Sequence, residues 1–309
     1  MTISAMIIAD SISPQGIRLT TFQLRYPRFI HAEFMTHRMF SRNASSSRAI
    51  PVKRLIQDIE SDPAIPMHWG KNQSGMQARE EHDLPVHCYD HETDCNMHMP
   101  PQEAWHNAML KAIEFARAFD AAGYHKQIVN RLLEPFSHIN VVCTSTNFSN
   151  FFTLRDHPDA QPEIQLLAQE MKKAMAGSEA NHLLIPGCWH LPYYEDGYWE
   201  PYGKQDDVEY DIHGASLEEA RSISVARCAR VSYRTHDGRI AEHEEEVELC
   251  KRLLAQVPLH ASPAEHQATP DTWISVHAEG ELGMWHHLKE HGNFDGWRQY
   301  RKMLAGECQ

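Results

Sequence analysis

The segment HRMFSRNASSSRAIPVKR, residues 37–54, concentrates positive charge in a chain whose formal net charge is −13. Arg38, Arg42, Arg48, Lys53 and Arg54 stand here with no Asp or Glu between them, and serines and an asparagine fill the gaps. Guanidinium forks bind phosphate by paired hydrogen bonds, and hydroxyls with loop amides complete such a shell. The chemistry suggested is capture of a small anion. The competing reading is a solvated basic loop, and composition alone leaves both open. Because the stretch is expected to start near a helix C-terminus, which repels anions, side chains and the following loop must hold the phosphate.

Other candidates are weaker. CYDHETDCNMH brings Cys88, His91, Cys95 and His98 together beside His87. These are zinc-type ligands, but the spacing matches no standard pattern, so a polar excursion is preferred and no metal is expected. WGKNQSGMQA (69–78) contains glycine but lacks the Gly-Lys-Ser/Thr of a phosphate loop. GNFDGWRQYRK (292–302) could clamp a ring or a phosphate, and reads more simply as a helix packing its aromatics. Cys143 and Cys188 read as core or loop residues rather than nucleophiles.

The elements that must position these residues follow from patterning. IRLTTFQLRYPRF alternates near period two, giving a strand at about 18–25. Pro27 then opens a helix running to about Phe40. Residues 67–102 have no clear period and form a long excursion. Helices are expected at 102–123, with Trp105, Met109, Ile113 and Ala116 on one face, at 125–136 up to Pro135, and at 162–175. INVVCTSTNF (139–148) is β-branched and strand-like, though helical neighbours leave its type open. Residues 185–203 read as a long loop. SLEE at Ser216 is a capping box opening a helix. Residues 244–254 form another helix, its acidic first turn and basic end suiting the macrodipole. Residues 258–271 are a turn-rich join.

The chain has 309 residues, 42% of them hydrophobic and 23% charged, as in a globular domain with a sizeable core. No apolar run of membrane-spanning length occurs. The opening MTISAMIIADSISPQG lacks a basic n-region, so no signal peptide is expected. Seven scattered cysteines argue against a disulfide framework and for a reducing cytoplasm. The acidic balance argues against nucleic acid as the main partner.

With spacing included, HRMFSRNASSSR reads His-Arg-x-x-Ser-x-Asn-x-x-Ser-x-Arg. It resembles the Arg-His-Arg signature of the flavin-dependent thymidylate synthases, matched by His37, Arg38, Ser41, Asn43, Ser46 and Arg48. NRLLEPF resembles the family's Arg-x-x-x-Pro step and places Arg131 at a nucleotide-binding arginine. NFFTLRDHPDAQPEI resembles a third block, aligning Asn150 with a flavin contact and Arg155 with the arginine facing the pyrimidine. ARVSY (229–233), the helix near 244–254 and SPAEH (262–266) resemble a block that precedes the signature in the family. Here it lies at the C-terminal end, as in a circular permutation, which termini close together in space permit.

The resemblance implies an α/β (α+β) fold with a central mixed or antiparallel sheet flanked by helices. It implies one domain over 1–309, with an insertion at about 67–102 and the permuted segment at about 216–309. It implies reductive methylation of dUMP at C5 to dTMP with FAD, NADPH and 5,10-methylenetetrahydrofolate, in a homotetramer with shared sites. Arg155 and Ser46 are the implied catalytic residues. Glu33, Ser46, Ser47, Arg48, Arg131 and Arg155 are assigned to dUMP. His37, Arg38, Ser41, Asn43, Asn150 and His266 are assigned to FAD. Several positions depart from the pattern. Thr36 replaces the first Arg, Glu33 a Gln, Ala44 a Glu and Asp159 a His, and 144–150 is shortened. Two alternatives follow: a relative acting on another pyrimidine nucleotide such as dCMP, or adding a hydroxymethyl group, and a non-catalytic nucleotide-binding protein.

Overall fold

The structure is a computed structural model describing residues 2–75, 78–90, 94–178, 182–235, 238–256, 259–275 and 283–307. In chain order its first half comprises β1 (Ser4–Ile12), β2 (Arg18–Pro27), α1 (His31–Phe34), β3 (Ser41–Ala44), α2 (Val52–Ser61), β4 (Val86–Asp90), β5 (Cys95–Met99), α3 (Pro101–Ala121), α4 (Lys126–Val129), β6 (His138–Ser145), α5 (Ser149–Arg155) and α6 (Pro162–Ala176). Then follow β7 (His182–Leu183), β8 (Trp189–His190), β9 (Tyr198–Trp199), β10 (Gly203–Gln205), β11 (Val208–Tyr210), α7 (Leu217–Arg230), α8 (His243–Leu254), β12 (Ala268–Pro270), β13 (Trp273–Ser275), β14 (Gly283–Trp285), β15 (Trp297–Gln299) and α9 (Tyr300–Met303).

The central sheet has the order β3-β6-β2-β1-β7 and is mixed: its pairs are antiparallel except β1 with β7. β6, β2 and β1 are its inner strands, and β6 and β2 are rich in β-branched and aromatic residues. Successive side chains alternate faces. Phe22, Leu24 and Tyr26 of β2 and Ile139, Val141 and Cys143 of β6 pack on Ile164, Leu167 and Met171 of α6, with Phe34 and Phe151. Val142 on the opposite face packs with Tyr193 and with Cys228 of α7. A second, four-stranded sheet has the order β15-β12-β8-β9. α7 starts at the Ser216–Glu219 capping box. It is tied to α8 by Glu246, which is wholly buried and accepts from Arg227 at 3.3 Å and Arg230 at 2.5 Å.

Four expectations change. The helix expected from Pro27 to Phe40 shrinks to a 3₁₀ turn, Arg28–Ile30, followed by α1. Pro27 still belongs to β2, paired with His138. At the other end Thr36 Oγ1 donates to the Glu33 carbonyl at 2.8 Å and Arg42 to the Met35 carbonyl at 2.9 Å. Those carbonyls are thereby taken, and the next backbone groups pair with β6 as edge strand β3. The basic stretch is therefore a turn, the edge strand β3, a loop and the first residues of α2.

Residues 125–136 break into α4 and two 3₁₀ turns, Asn130–Leu132 and Glu134–Phe136. The break brings the buried Asn130 amide onto the Ser47 carbonyl at 2.7 Å and the Ile50 carbonyl at 2.9 Å. Asn130→Ala is expected to cost about 1–3 kcal/mol, because buried acceptors lose their donor. Urea unfolding checks this, and an unchanged midpoint would show the clamp to be idle. In the third change, 185–203 contains the short strands β8 and β9 within its turns, and in the fourth the expected helix at 292–302 is β15 with α9.

Candidate functional site

α5 ends at Arg155, and α1 and the turn after it lie alongside. Arg155 Nε donates to His37 Nε2 at 2.9 Å, and its NH1 pairs with Glu33. An arginine only donates, so His37 Nε2 accepts and the ring proton sits on Nδ1. Burial first, then the neighbouring Arg155 and Arg42, pulls the His37 pKa down to about 4. The ring is thus neutral at pH 7 and able to accept. Phe151 meets it edge-on at 4.9 Å.

A cleft of about 360 Å³ opens here, lined among others by Thr36, His37, Arg38, Asn147, Asn150 and Arg155. On the other side of Arg155 is a cleft of about 1210 Å³, walled by Phe29, Glu33, His68, Arg79 and Trp105. Arg155 alone lines both, so its guanidinium is the partition between them. The excursion is anchored along this wall, with the Met67 amide donating to buried Glu163 at 2.7 Å and Arg79 meeting Asp159 at 3.1 Å.

His37, Arg38, Asn150, Glu33 and Arg155 thus come together. A second group gathers at the other end of β3. Ser46 and Arg48 are exposed on the loop that Asn130 clamps, and Arg131 is exposed beside Asn130. Arg28 joins them, its NH2 donating to the Ser45 carbonyl at 3.4 Å. The strand between the two groups has four residues, about 13 Å at ~3.3 Å each. Neither Arg48 nor Arg131 lines either of the clefts that meet at Arg155.

Four assigned residues are turned inward instead. Ser47 donates to Glu134 at 2.7 Å and is buried, so its hydroxyl holds the loop rather than facing a nucleotide. Ser41 is buried, bonded to Asn293 at 3.1 Å and Gln299 at 3.1 Å. Asn43 donates to the Cys228 carbonyl at 3.4 Å. His266, assigned to FAD, is wholly buried. Its position does meet the signature: the turn Ser262–Glu265 packs against β3, and His266 Nδ1 bonds Thr144 at 2.8 Å, where Thr144 pairs with Ser41.

Sequence reasoning missed what His266 belongs to. Thr144 Oγ1 bonds Thr21 Oγ1 at 2.7 Å, Thr21 bonds His190 Nε2 at 2.8 Å, and His190 Nδ1 bonds Ser11 at 2.9 Å. This buried polar chain crosses the inner face of the sheet. Its signal in the sequence was the threonines of β2 and β6 standing where apolar residues are usual for strands covered on both faces. Asn130, Asn147 and Arg28 were also missed, since isolated residues of these types carry no spacing signal.

The fold and site define a mixed-sheet α/β protein with two clefts meeting at Arg155 near one end of an edge strand and exposed arginines near the other. The family model described as thymidylate synthase complementing protein matches residues 11–177, more than half of the chain, and the chain belongs to that family. The match ends before α7. Among solved structures, similarity extends to the UMP/dUMP methylase PolB from Streptomyces cacaoi bound with 5-Br dUMP, at 16% identity and TM-score 0.41, covering 57% of this chain and 90% of that one. It also extends to thymidylate synthase X (ThyX) from Helicobacter pylori with FAD and dUMP, at 17% identity and TM-score 0.32, covering 51% and 67%. Among curated proteins none matches. No helix among the described residues is long and apolar enough to cross a membrane.

Proposed function

We propose that the protein is a flavin-dependent pyrimidine-nucleotide methylase that converts dUMP to dTMP with FAD, NADPH and 5,10-methylenetetrahydrofolate. The observation that carries this reading is Arg155, which bonds His37 and Glu33 at the partition between two clefts. A guanidinium fixed on both sides is aimed before substrate arrives, and a preorganised cation stabilises charge developing on a pyrimidine ring under attack.

The residues present fit part of a flavin. Neutral His37, exposed Arg38 and exposed Asn150 offer a planar ring with an Nδ1–H donor, a cation and an amide around a cleft of about 360 Å³. That space suits a ring system and is too small for a whole dinucleotide. Bound flavin would supply hydride chemistry that the side chains lack. Ser46, Arg48 and Arg131 would hold the nucleotide phosphate. Since none of these three lines the clefts at Arg155, a second copy would complete the site, in keeping with a homotetramer. The C-terminal segment from about 216, packed by its 262–265 turn on β3, acts as the rearranged block of a single domain. A cytoplasmic enzyme is the matching setting.

A yellow protein that NADPH bleaches, with turnover of dUMP, is the expected result. A protein that stays colourless with added FAD would leave only nucleotide binding. The Glu33 carboxylate on Arg155 favours one runner-up. A carboxylate accepts from the exocyclic amine of cytosine, so dCMP turnover exceeding that of dUMP would move the assignment to a cytosine nucleotide. Arg48→Ala is expected to weaken nucleotide binding by about 1.5–3 kcal/mol, the loss of a charge-assisted hydrogen bond. Calorimetric titration of dUMP checks this, and an unaltered dissociation constant would remove Arg48 from the phosphate.

A further inference from the structure

The hairpin of β4 and β5 carries ligand chemistry that the nucleotide site does not use. Its ladder pairs Val86 with Met99, His87 with His98, Cys88 with Met97 and Tyr89 with Asn96. Directly paired residues project from the same face, so His87 and His98 rise side by side, their ring centroids 4.0 Å apart and their planes at 71°. Both are exposed. Neither has a hydrogen-bond partner among the described residues. The edge-to-face contact of the two rings holds them together and leaves their nitrogens unspent on a solvent face.

We infer that His87 and His98 form a two-imidazole chelate for a borderline divalent transition-metal ion of the Cu²⁺, Ni²⁺ or Zn²⁺ class. Two ring nitrogens at about 2.0–2.1 Å from one ion set ring centres roughly 4.5–5 Å apart. The rings reach that spacing by side-chain rotation, without moving the ladder. No set of three His, Cys, Asp or Glu side chains converges among the described residues, so water completes the shell and the site is a surface chelate rather than a closed structural centre. Imidazole nitrogens select this class over Mg²⁺ and Ca²⁺. An isolated two-stranded hairpin is marginally stable, so an ion bridging both strands would fasten this one. The inference is independent of the nucleotide reading.

The probe is Ni²⁺, which leaves Cys88 and Cys95 unoxidised, titrated calorimetrically into the tag-free full chain. One site is expected, weakened about a hundredfold by His87→Ala and equally by His98→Ala, since losing either ring abolishes the chelate. His82→Ala should leave that site intact. Unchanged binding in both variants overturns the assignment, as does loss of the site in Cys88→Ser with His87→Ala unaffected. A second measurement needs no variant. Ni²⁺ should shield His87 and His98 from diethylpyrocarbonate while exposed His82 and His106 keep reacting. Equal modification with and without Ni²⁺ overturns the site.

Discussion

Arg155→Ala is expected to lower the rate of nucleotide methylation about 10²–10³-fold, the loss seen when a preorganised charge-stabilising donor is removed. The flavin should remain bound, because His37, Arg38 and Asn150 stay in place on the cleft wall. His37 loses a donor from Nε2 and Glu33 loses its cation. Its neighbourhood then holds one positive charge fewer, so the His37 pKa should rise from its depressed value, the Arg155 charge being a cause of that depression second only to burial. Single-turnover kinetics, the flavin spectrum and an NMR titration of His37 read these three effects separately. Full turnover with the spectrum intact would remove Arg155 from the chemistry. A colourless variant would instead make it a flavin ligand. Lysine in its place should recover little, since its compact ammonium lacks the planar fork that reaches His37 and Glu33 in fixed directions.

The second large effect is on stability below neutral pH. Burial holds His190 and His266 down to about 3. His31, His37 and His138 are held down to about 4, also chiefly by burial. A depressed histidine pKa means the folded ring refuses a proton that the unfolded ring accepts. The stabilisation is therefore complete above about pH 6.5 and is lost as pH falls from there toward the folded values. Each fully buried ring costs about 1.4 kcal/mol per pH unit in that window, so His190 and His266 together remove roughly 3 kcal/mol per unit. Urea midpoints at pH 7.5, 6.5, 5.5 and 4.5 should be level over the first interval and then fall steeply. A flat profile down to pH 5 would show that these rings titrate normally in the folded state. Thr144→Val should lower stability at every pH, by about 1–3 kcal/mol, since it strips partners from both His266 and Thr21.

The buried rings also show where sequence reading stops. The strand at 18–25, the helices at 102–123, 162–175 and 244–254 and the capping box at Ser216 were legible because each is specified locally, by alternation, by a 3.6-residue stripe or by a cap. The strand over 139–148 was legible in composition, and its inner place between β3 and β2 accounts for its apolar run. The helix expected through Phe40 and the one expected over 125–136 were not local matters. Strand β3 exists because β6 offers it a free edge. The 125–136 break exists because Asn130 serves carbonyls some eighty residues earlier in the chain.

For the site, the sequence by itself determined the chemical inventory and the family: arginines, hydroxyls and a histidine at fixed spacing, in a chain that must carry them on an α/β scaffold. Only the tertiary structure decided which of them face a ligand. Spacing fixes residue types along the chain, but exposure depends on which faces other segments cover. The segment after residue 216 folds back onto β3 and turns Ser41, Asn43 and His266 inward, while α5 delivers Arg155 to His37 across more than a hundred residues of sequence.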